Sequence, residues 1–266
     1  MSKEMSITDQ KINTEISNQD YHDNRSHVSS SGLKLYLKDP VEYHKQYVLG
    51  EKPFIPEALQ NAFDFGTYVH AMVLEPELLE TEFAIYESGC KEAFTYDNEG
   101  KLIITSGQDA IARKMYKNYK EAVFYPDGKR ISTFFDHGLA EESMFAELDG
   151  LNVKIRTDYR KVDKDGKYAS INDVKTTSKT INFKSITKVC EDLGYDVSAA
   201  LYCDVAKKVT GIDHDFFFLF MGKKDYKSEI FKASEEFLER GRKKYKRAIK
   251  GILKSRATGV WVPELG

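Results

Sequence analysis

Cysteine is scarce in this chain. Cys90, Cys190 and Cys203 are the only three, and no two are spaced as a CxxC pair. An odd, scattered set excludes both a zinc knuckle and a disulfide framework as the organising device. It reads as reduced thiols, and so as a cytoplasmic protein. No apolar run approaches the ~20 residues of a membrane span. The opening stretch "MSKEMSITDQKINTE" lacks the apolar core of a signal peptide. Neither a GxxxxGK[ST] phosphate loop nor a GxGxxG dinucleotide loop occurs, so an ATPase or a Rossmann enzyme has no support. No convincing Ser-His-Asp arrangement stands out. An excess of one charge is missing too. The 40 Lys and Arg face 42 Asp and Glu, a formal net charge of −2, so any polyanion must be met by a local concentration of base.

One such concentration closes the chain. "GRKKYKRAIKGILKSR", Gly241 to Arg256, carries eight Lys or Arg and no acid. A solvated basic helix and a phosphate-facing helix fit it equally, and Lys246 and Lys250 are the DNA-contact candidates there. Otherwise the 266 residues are 41% hydrophobic and 12% aromatic, enough for a sizeable core in one large domain or one domain with an appendage.

Residues 1–27 are polar and read as a flexible arm. The remainder, 28–266, reads as a single domain with a helical section over 28–130 and a core over 131–266. "SSSGLKLYL" starts a helix that Ser29, Ser30 or Ser31 can cap. Pro40 starts another, closed by Gly50. "ALQNAFDFGTYVHAMVLEPELLE" is a third. Residues 86–106 look irregular. A helix then follows, with Ser106 as its cap. "ISTFFDHG", "AEESMFAEL" and the alternating "LNVKIRTDYRKV" read as strands. Asp165-Gly166 turns the chain into a returning strand, "YASINDVKT". Two helices follow, the second ending at Gly211. "DHDFFFLFMGKK" reads as a buried strand, "SEIFKAS" as another strand, and a long helix begins after Ser234. The layout predicts an α/β fold with a central mixed sheet flanked by helices and entered through an N-terminal helical section.

Asp-x-Lys occurs five times, but only Asp173-Val174-Lys175 lies in an alternating strand, and only it follows a strand with its own acid, Asp158. Residues two apart on a strand share a face. A hairpin therefore can bring Asp158, Asp173 and Lys175 to one end of the sheet. Phosphodiester hydrolysis needs this set of groups. Carboxylates and the Val174 carbonyl suit hard Mg²⁺. Such an ion polarises phosphate and acidifies water. Lys175 orients that water or stabilises the developing charge. The bland alternative is a solvated ion pair worth less than ~1 kcal/mol.

"IRTDYR" with "ASINDVKTT" resembles the D…(D/E)xK core of the PD-(D/E)xK nucleases. "VSSSGLKLYLKDPVEYHKQYV", "FGTYVHAMVLEPE", "GLAEESMFAE" and "DVSAALYCD" extend the likeness over about residues 27–235, toward the RecE-type exonuclease VIII family and its phage relatives. The resemblance implies a PD-(D/E)xK, restriction-endonuclease-like core. Asp158 and Asp173 would be metal ligands and Lys175 catalytic. His70 would be a further ligand or a support to one, with Glu141, Ser198 and Tyr202 lining the site. The family usually has Gln where this chain has Ser198. The implied activity is Mg²⁺-dependent degradation of double-stranded DNA from its ends, 5′ to 3′, with Mn²⁺ able to substitute, leaving single-stranded overhangs for recombination. The implied setting is a bacterial or phage-infected cytoplasm, a ring-shaped homo-oligomer and a single-strand annealing protein as partner. Two alternatives stay open: an endonuclease or single-strand nuclease on the same core, and a DNA-binding or interaction protein that kept the fold without catalysis.

Overall fold

The computed structural model describes residues 11–13, 16–124 and 127–262. Strand β1, Lys11–Asn13, comes first. Helix α1, Asn18–Asp23, follows, with the Ser17 hydroxyl accepting from the Asp20 N–H as its cap. Ser29 caps α2, Ser30–Lys38, by accepting from the Gly32 N–H. Asp39 caps α3, Pro40–Tyr43. That helix runs into a wider π-turn, His44–Leu49, which ends at Gly50 with a left-handed φ of 79°. Then come α4, Glu57–Leu74, and the short α5, Leu79–Glu82.

Residues 86–106, expected to be irregular, are ordered. Strand β2, Phe83–Tyr86, pairs in parallel with β3, Leu102–Thr105, across the connecting helix α6, Lys91–Asp97. Four-residue strands are too short to display alternation, which is why the pattern is silent here. Helix α7, Ser106–Glu121, is capped by Thr105 rather than Ser106, in a reciprocal capping box with Gln108.

The expected strand "ISTFFDHG" is instead a 3₁₀ turn over Ile131–Phe135. Its consecutive aromatics serve as a plug: Phe134 packs edge-on to Phe217, and Phe135 meets Tyr119 and Tyr159.

The remaining elements follow the expected order. They are β4, Leu139–Leu148; β5, Leu151–Val162; β6, Ala169–Thr177; α8, Phe183–Asp192; α9, Tyr195–Thr210; β7, His214–Gly222; β8, Ser228–Lys232; and α10, Glu235–Thr258. The main sheet runs β1-β4-β5-β6-β7-β8. All its pairings are antiparallel except β6 with β7. A parallel pair needs a crossover, and α8 with α9 supply it.

The run "FFFLFM" explains itself in β7. Phe216, Phe218 and Phe220 enter a core shared with α2, α9 and α10. Phe217, Leu219 and Met221 enter a second core on the opposite face, shared with α4 and α7. A strand buried on both faces loses its polar alternation.

The flexible arm expected over residues 1–27 is corrected from residue 16 onward. Tyr21 is buried, and the Lys154 ammonium donates to the Tyr21 and Asn24 carbonyls. Arg156 reaches the Ile16 carbonyl, and Val28 bridges to Val153. Buried donors need acceptors, and the N-terminal segment supplies them to β5. The first ten residues of that arm lie outside the described residues.

Candidate metal and catalytic site

The sheet assembles the site by register. The β5–β6 ladder ends at Tyr159 opposite Asn172, so Asp158 and Asp173 occupy the next step on their strands. There the strands stop pairing by backbone. The Val174 N–H, which would continue a ladder, donates instead to Asp158 Oδ2 at 2.7 Å. On the other side, Glu141 falls between the pairs Ala140–Tyr159 and Glu142–Thr157, opposite Asp158. Glu141 holds a left-handed φ of 54°. That conformation costs a non-glycine residue of order 1 kcal/mol and gathers at functional positions. Three acids from three adjacent strands thus lie in one row across the sheet.

Helix α4 brings His70 over this row. Its Nε2 lies 2.6 Å from Asp158 Oδ2 and its Nδ1 3.5 Å from Glu141 Oε1. One ligand atom from each of His70, Glu141 and Asp158 can be chosen so that all lie within 4.8 Å of one another. Arg156 fixes Glu141 from behind, with Nε 2.6 Å from Oε2. The neighbouring Glu142 turns away and is buried in a two-pronged pair with Arg160.

Lys175 Nζ lies 2.5 Å from Asp173 Oδ2 and 4.0 Å from Asp158 Oδ2. The shorter approach is a buried ion pair. The same lysine lies 3.4 Å from the Val174 carbonyl, so that oxygen is turned toward the cluster.

The electrostatics follow from crowding. Burial alone would raise the Asp158 carboxyl, but His70 and Lys175 outweigh it and hold the group down to about 2. Asp173 is pushed up to about 6, by burial first and then by Asp158, with Lys175 pulling the other way. Burial would lower both cations of the cluster. The carboxylates overcome it, lifting His70 to about 10 through Asp158 and Glu141, and lifting Lys175 above the ordinary lysine range. Opposed shifts in neighbouring titratable groups mark sites that handle protons or ions.

The donor set fits a divalent cation. Glu141, Asp158 and His70 offer two carboxylates and an imidazole close enough to share one ion, with Asp173, paired to Lys175, and the Val174 carbonyl next to them. Hard oxygen donors suit Mg²⁺ and Mn²⁺, and the imidazole is better matched to Mn²⁺ than to Mg²⁺.

His70, Glu141, Asp158 and Tyr202 line a cleft of about 1220 Å³, together with Arg25 and Lys154 from the N-terminal side. Asp173 and Lys175 are not among its lining residues; Lys175 lies beside Asp158 with about 26% of its side chain exposed. Tyr202 has its hydroxyl beside Ser30 and is raised above the usual phenol range, by burial first and then by Asp158 and Asp173.

Ser198 stands on α9 between Tyr195, three residues before, and Tyr202, four after, on the helix face that carries both. Lys246 and Lys250 are exposed on α10 and do not line the cleft.

Two neighbours escaped the sequence reading. Arg156 sits in the same "IRTDYR" stretch as Asp158, two residues before it. Tyr195 has Lys175 Nζ 5.5 Å from its ring centroid, and its position seven residues before Tyr202 was the available signal.

The model of a family described as "PDDEXK-like domain of unknown function (DUF3799)" matches residues 29–264. No curated protein matches the sequence. Among solved structures the chain is similar to one from Eubacterium rectale described as "Putative exonuclease", with 18% identity and a TM-score of 0.65. The match covers 93% of this chain and 89% of the other. At that identity the likeness carries the fold, an α/β core with a central mixed sheet.

Proposed function

Because the chain belongs to the PDDEXK-like domain family, and so to the PD-(D/E)xK nuclease superfamily, we propose that it is a divalent-metal-dependent DNA exonuclease of the RecE type. The reading is that it consumes double-stranded DNA from an end, 5′ to 3′, with Mg²⁺ or Mn²⁺, and leaves a single-stranded overhang for recombination. The observation that carries it is the row Glu141, Asp158 and Asp173 with His70 above it and Lys175 beside it. In this proposal Asp158, Asp173, Glu141 and His70 hold the ion, helped by the Val174 carbonyl. When bound, the ion would polarise the phosphodiester and acidify an attacking water.

The protein's own groups do the rest. Lys175 keeps a proton at Nζ between two carboxylates, where it can steady the charge that builds on the phosphate. Arg156 and the Val174 N–H hold Glu141 and Asp158 in place. Tyr202 closes the wall behind them.

An annealing protein as partner and a ring-shaped oligomer belong to the same proposal. The exposed apolar side chains Phe54, Leu59 and Phe63, before and on the first turns of α4, support self-association.

A second reading, a DNA-binding protein without catalysis, rests on Ser198. A serine on the face of α9 toward the site reaches less far than the glutamine the resemblance leads one to expect.

The test is digestion of a linear duplex labelled at its 5′ ends, beside a closed circular duplex, with Mg²⁺, with Mn²⁺ and with EDTA. Metal-dependent release of the label from linear DNA alone is expected. Asp173→Ala should lower the rate by at least ~100-fold. A closed circle cut as fast as the linear duplex would point to an endonuclease. Tight binding with no cleavage under either metal would favour the second reading.

A further inference from the structure

Lys34 is a second lysine of this site, and among the described residues no carboxylate forms an ion pair with it. It projects from α2, and its Nζ lies 5.7 Å from the centroid of the Tyr195 ring, the same ring that Lys175 approaches at 5.5 Å. Tyr195 itself is stacked on Phe218 of β7, so this aromatic post is fixed. The stem of Lys34 runs in a groove left by Gly194. That residue has a left-handed φ of 62°, and a Cβ there would come within 3.0 Å of Lys34 Cδ. The N-terminal turn of α9 is therefore shaped to admit this side chain.

What Lys34 lacks is a counter-charge. Among the described residues its ammonium has no hydrogen bond or ion pair; the ring contact is what it has. The comparison with Lys154 is direct. That lysine is buried and also lowered to about 8 by desolvation, but it gives its protons to two backbone carbonyls and has a structural role. Lys34 is lowered to about 8 by desolvation and then by Lys175, which Asp173 and Asp196 offset only in part and without an ion pair. The nearby carboxylates are committed elsewhere. Asp173 is paired with Lys175, and the buried Asp196 is held by Arg240 and Lys244. A partly desolvated, unpaired ammonium beside a second one costs stability unless an anion arrives.

We propose that Lys34 and Lys175, set around the Tyr195 ring, form a two-lysine seat for one phosphate of the DNA strand, with Lys34 the substrate-contacting member. This rests on the nuclease reading for the identity of the anion. It adds a residue from the N-terminal helical section to a site otherwise built from the sheet, α4 and α9. It also gives α2 a function besides packing against α10.

The experiment reads binding rather than cleavage, so it does not depend on turnover. The affinity of the full chain for a fluorescein-labelled single strand of about 20 bases and a duplex of about 20 base pairs is measured in EDTA over a range of NaCl. Wild type is compared with Lys34→Met and Lys34→Arg, each with its thermal midpoint. The expected result for Lys34→Met is ~10-fold weaker binding at low salt with an unchanged or higher midpoint, as befits loss of one charge-assisted hydrogen bond. Its plot of log K against log salt should flatten by about 0.7–0.9, the share of one phosphate. Lys34→Arg should recover most of the affinity. Unchanged affinity and slope in a folded Lys34→Met would overturn the assignment. So would a loss that Lys34→Arg does not recover while its midpoint matches wild type. If wild type binds both DNAs but cuts neither with any metal, the nuclease reading falls while Lys34 is still judged by its own slope. If wild type binds neither, both fall.

Discussion

At the scale of single residues, the acidic row shows how little a carboxylate's identity says without its neighbours. Asp158 and Asp173 are the same residue one strand apart, yet one is driven down and the other up. The difference lies in who stands next to each: His70 and the Val174 N–H beside Asp158, one lysine and much burial around Asp173.

A histidine far from this row carries a testable consequence of the same physics. His214, at the start of β7, is buried. Its Nδ1 is engaged with the Ile212 carbonyl, and its Nε2 has no hydrogen-bond partner among the described residues. Burial, and then Arg160, lower it to about 4. In the unfolded chain it titrates near its ordinary value of ~6.5. Between those two values the unfolded state binds the extra proton, so stability falls as pH drops through the window and is unaffected by this group above it. The loss from this one residue is about 2 kcal/mol between pH 7 and pH 5. Urea unfolding of wild type and His214→Gln at those two pH values checks it. The variant should lose about 2 kcal/mol less than wild type over that interval. Equal losses would mean that His214 titrates alike in both states.

At the scale of elements, α9 and α10 pack closely because one glycine lets them. A Cβ at Gly241 would lie 2.0 Å from the Asp196 carbonyl oxygen and 2.9 Å from Ala200 Cβ. In an exposed helix the change to alanine would help by about 1 kcal/mol. Here the close backbone approach reverses the sign. Gly241→Ala is expected to destabilise the fold by about 3 kcal/mol, because the two helices must separate and weaken the pairs from Asp196 to Arg240 and Lys244. A denaturation midpoint at or above wild type would show that α10 is free to slide.

The same scale decides what could be read from the residues alone. The β5–β6 hairpin was legible because alternation and an Asp-Gly turn are local signals. With it came Asp158, Asp173 and Lys175. His70 came from the resemblance and not from spacing. That Glu141 and not Glu142 faces the site follows from the β4–β5 register and a left-handed φ, and neither leaves a mark in a local pattern. The pair β2 and β3 is supported by a helical crossover rather than by alternation, so it read as loop. Lys34 was invisible for the same reason: its meaning comes from Gly194 and Tyr195, which are distant in sequence and adjacent in space.

At the scale of the whole molecule, a net charge of −2 means that attraction to DNA has to be local and directional. Arg25 lines the cleft, while Lys34 and Lys175 meet at the Tyr195 ring. The exposed lysines of α10 lie away from the cleft, on a helix of 24 residues, about 36 Å long. That is the length of roughly one turn of duplex. If α10 serves DNA, it serves the duplex beyond the scissile end and not the nucleotides in the site. We therefore expect Lys246→Glu with Lys250→Glu to weaken binding of a duplex of about 40 base pairs and to lower its salt slope by about 2, since each phosphate left without its cation removes about one unit. Affinity for a single strand of about six bases, which fills the cleft alone, should not change. Equal weakening of both probes would mean that the charge acts through the general field of the protein. No change in either would leave α10 as a packing helix whose basic face meets only water.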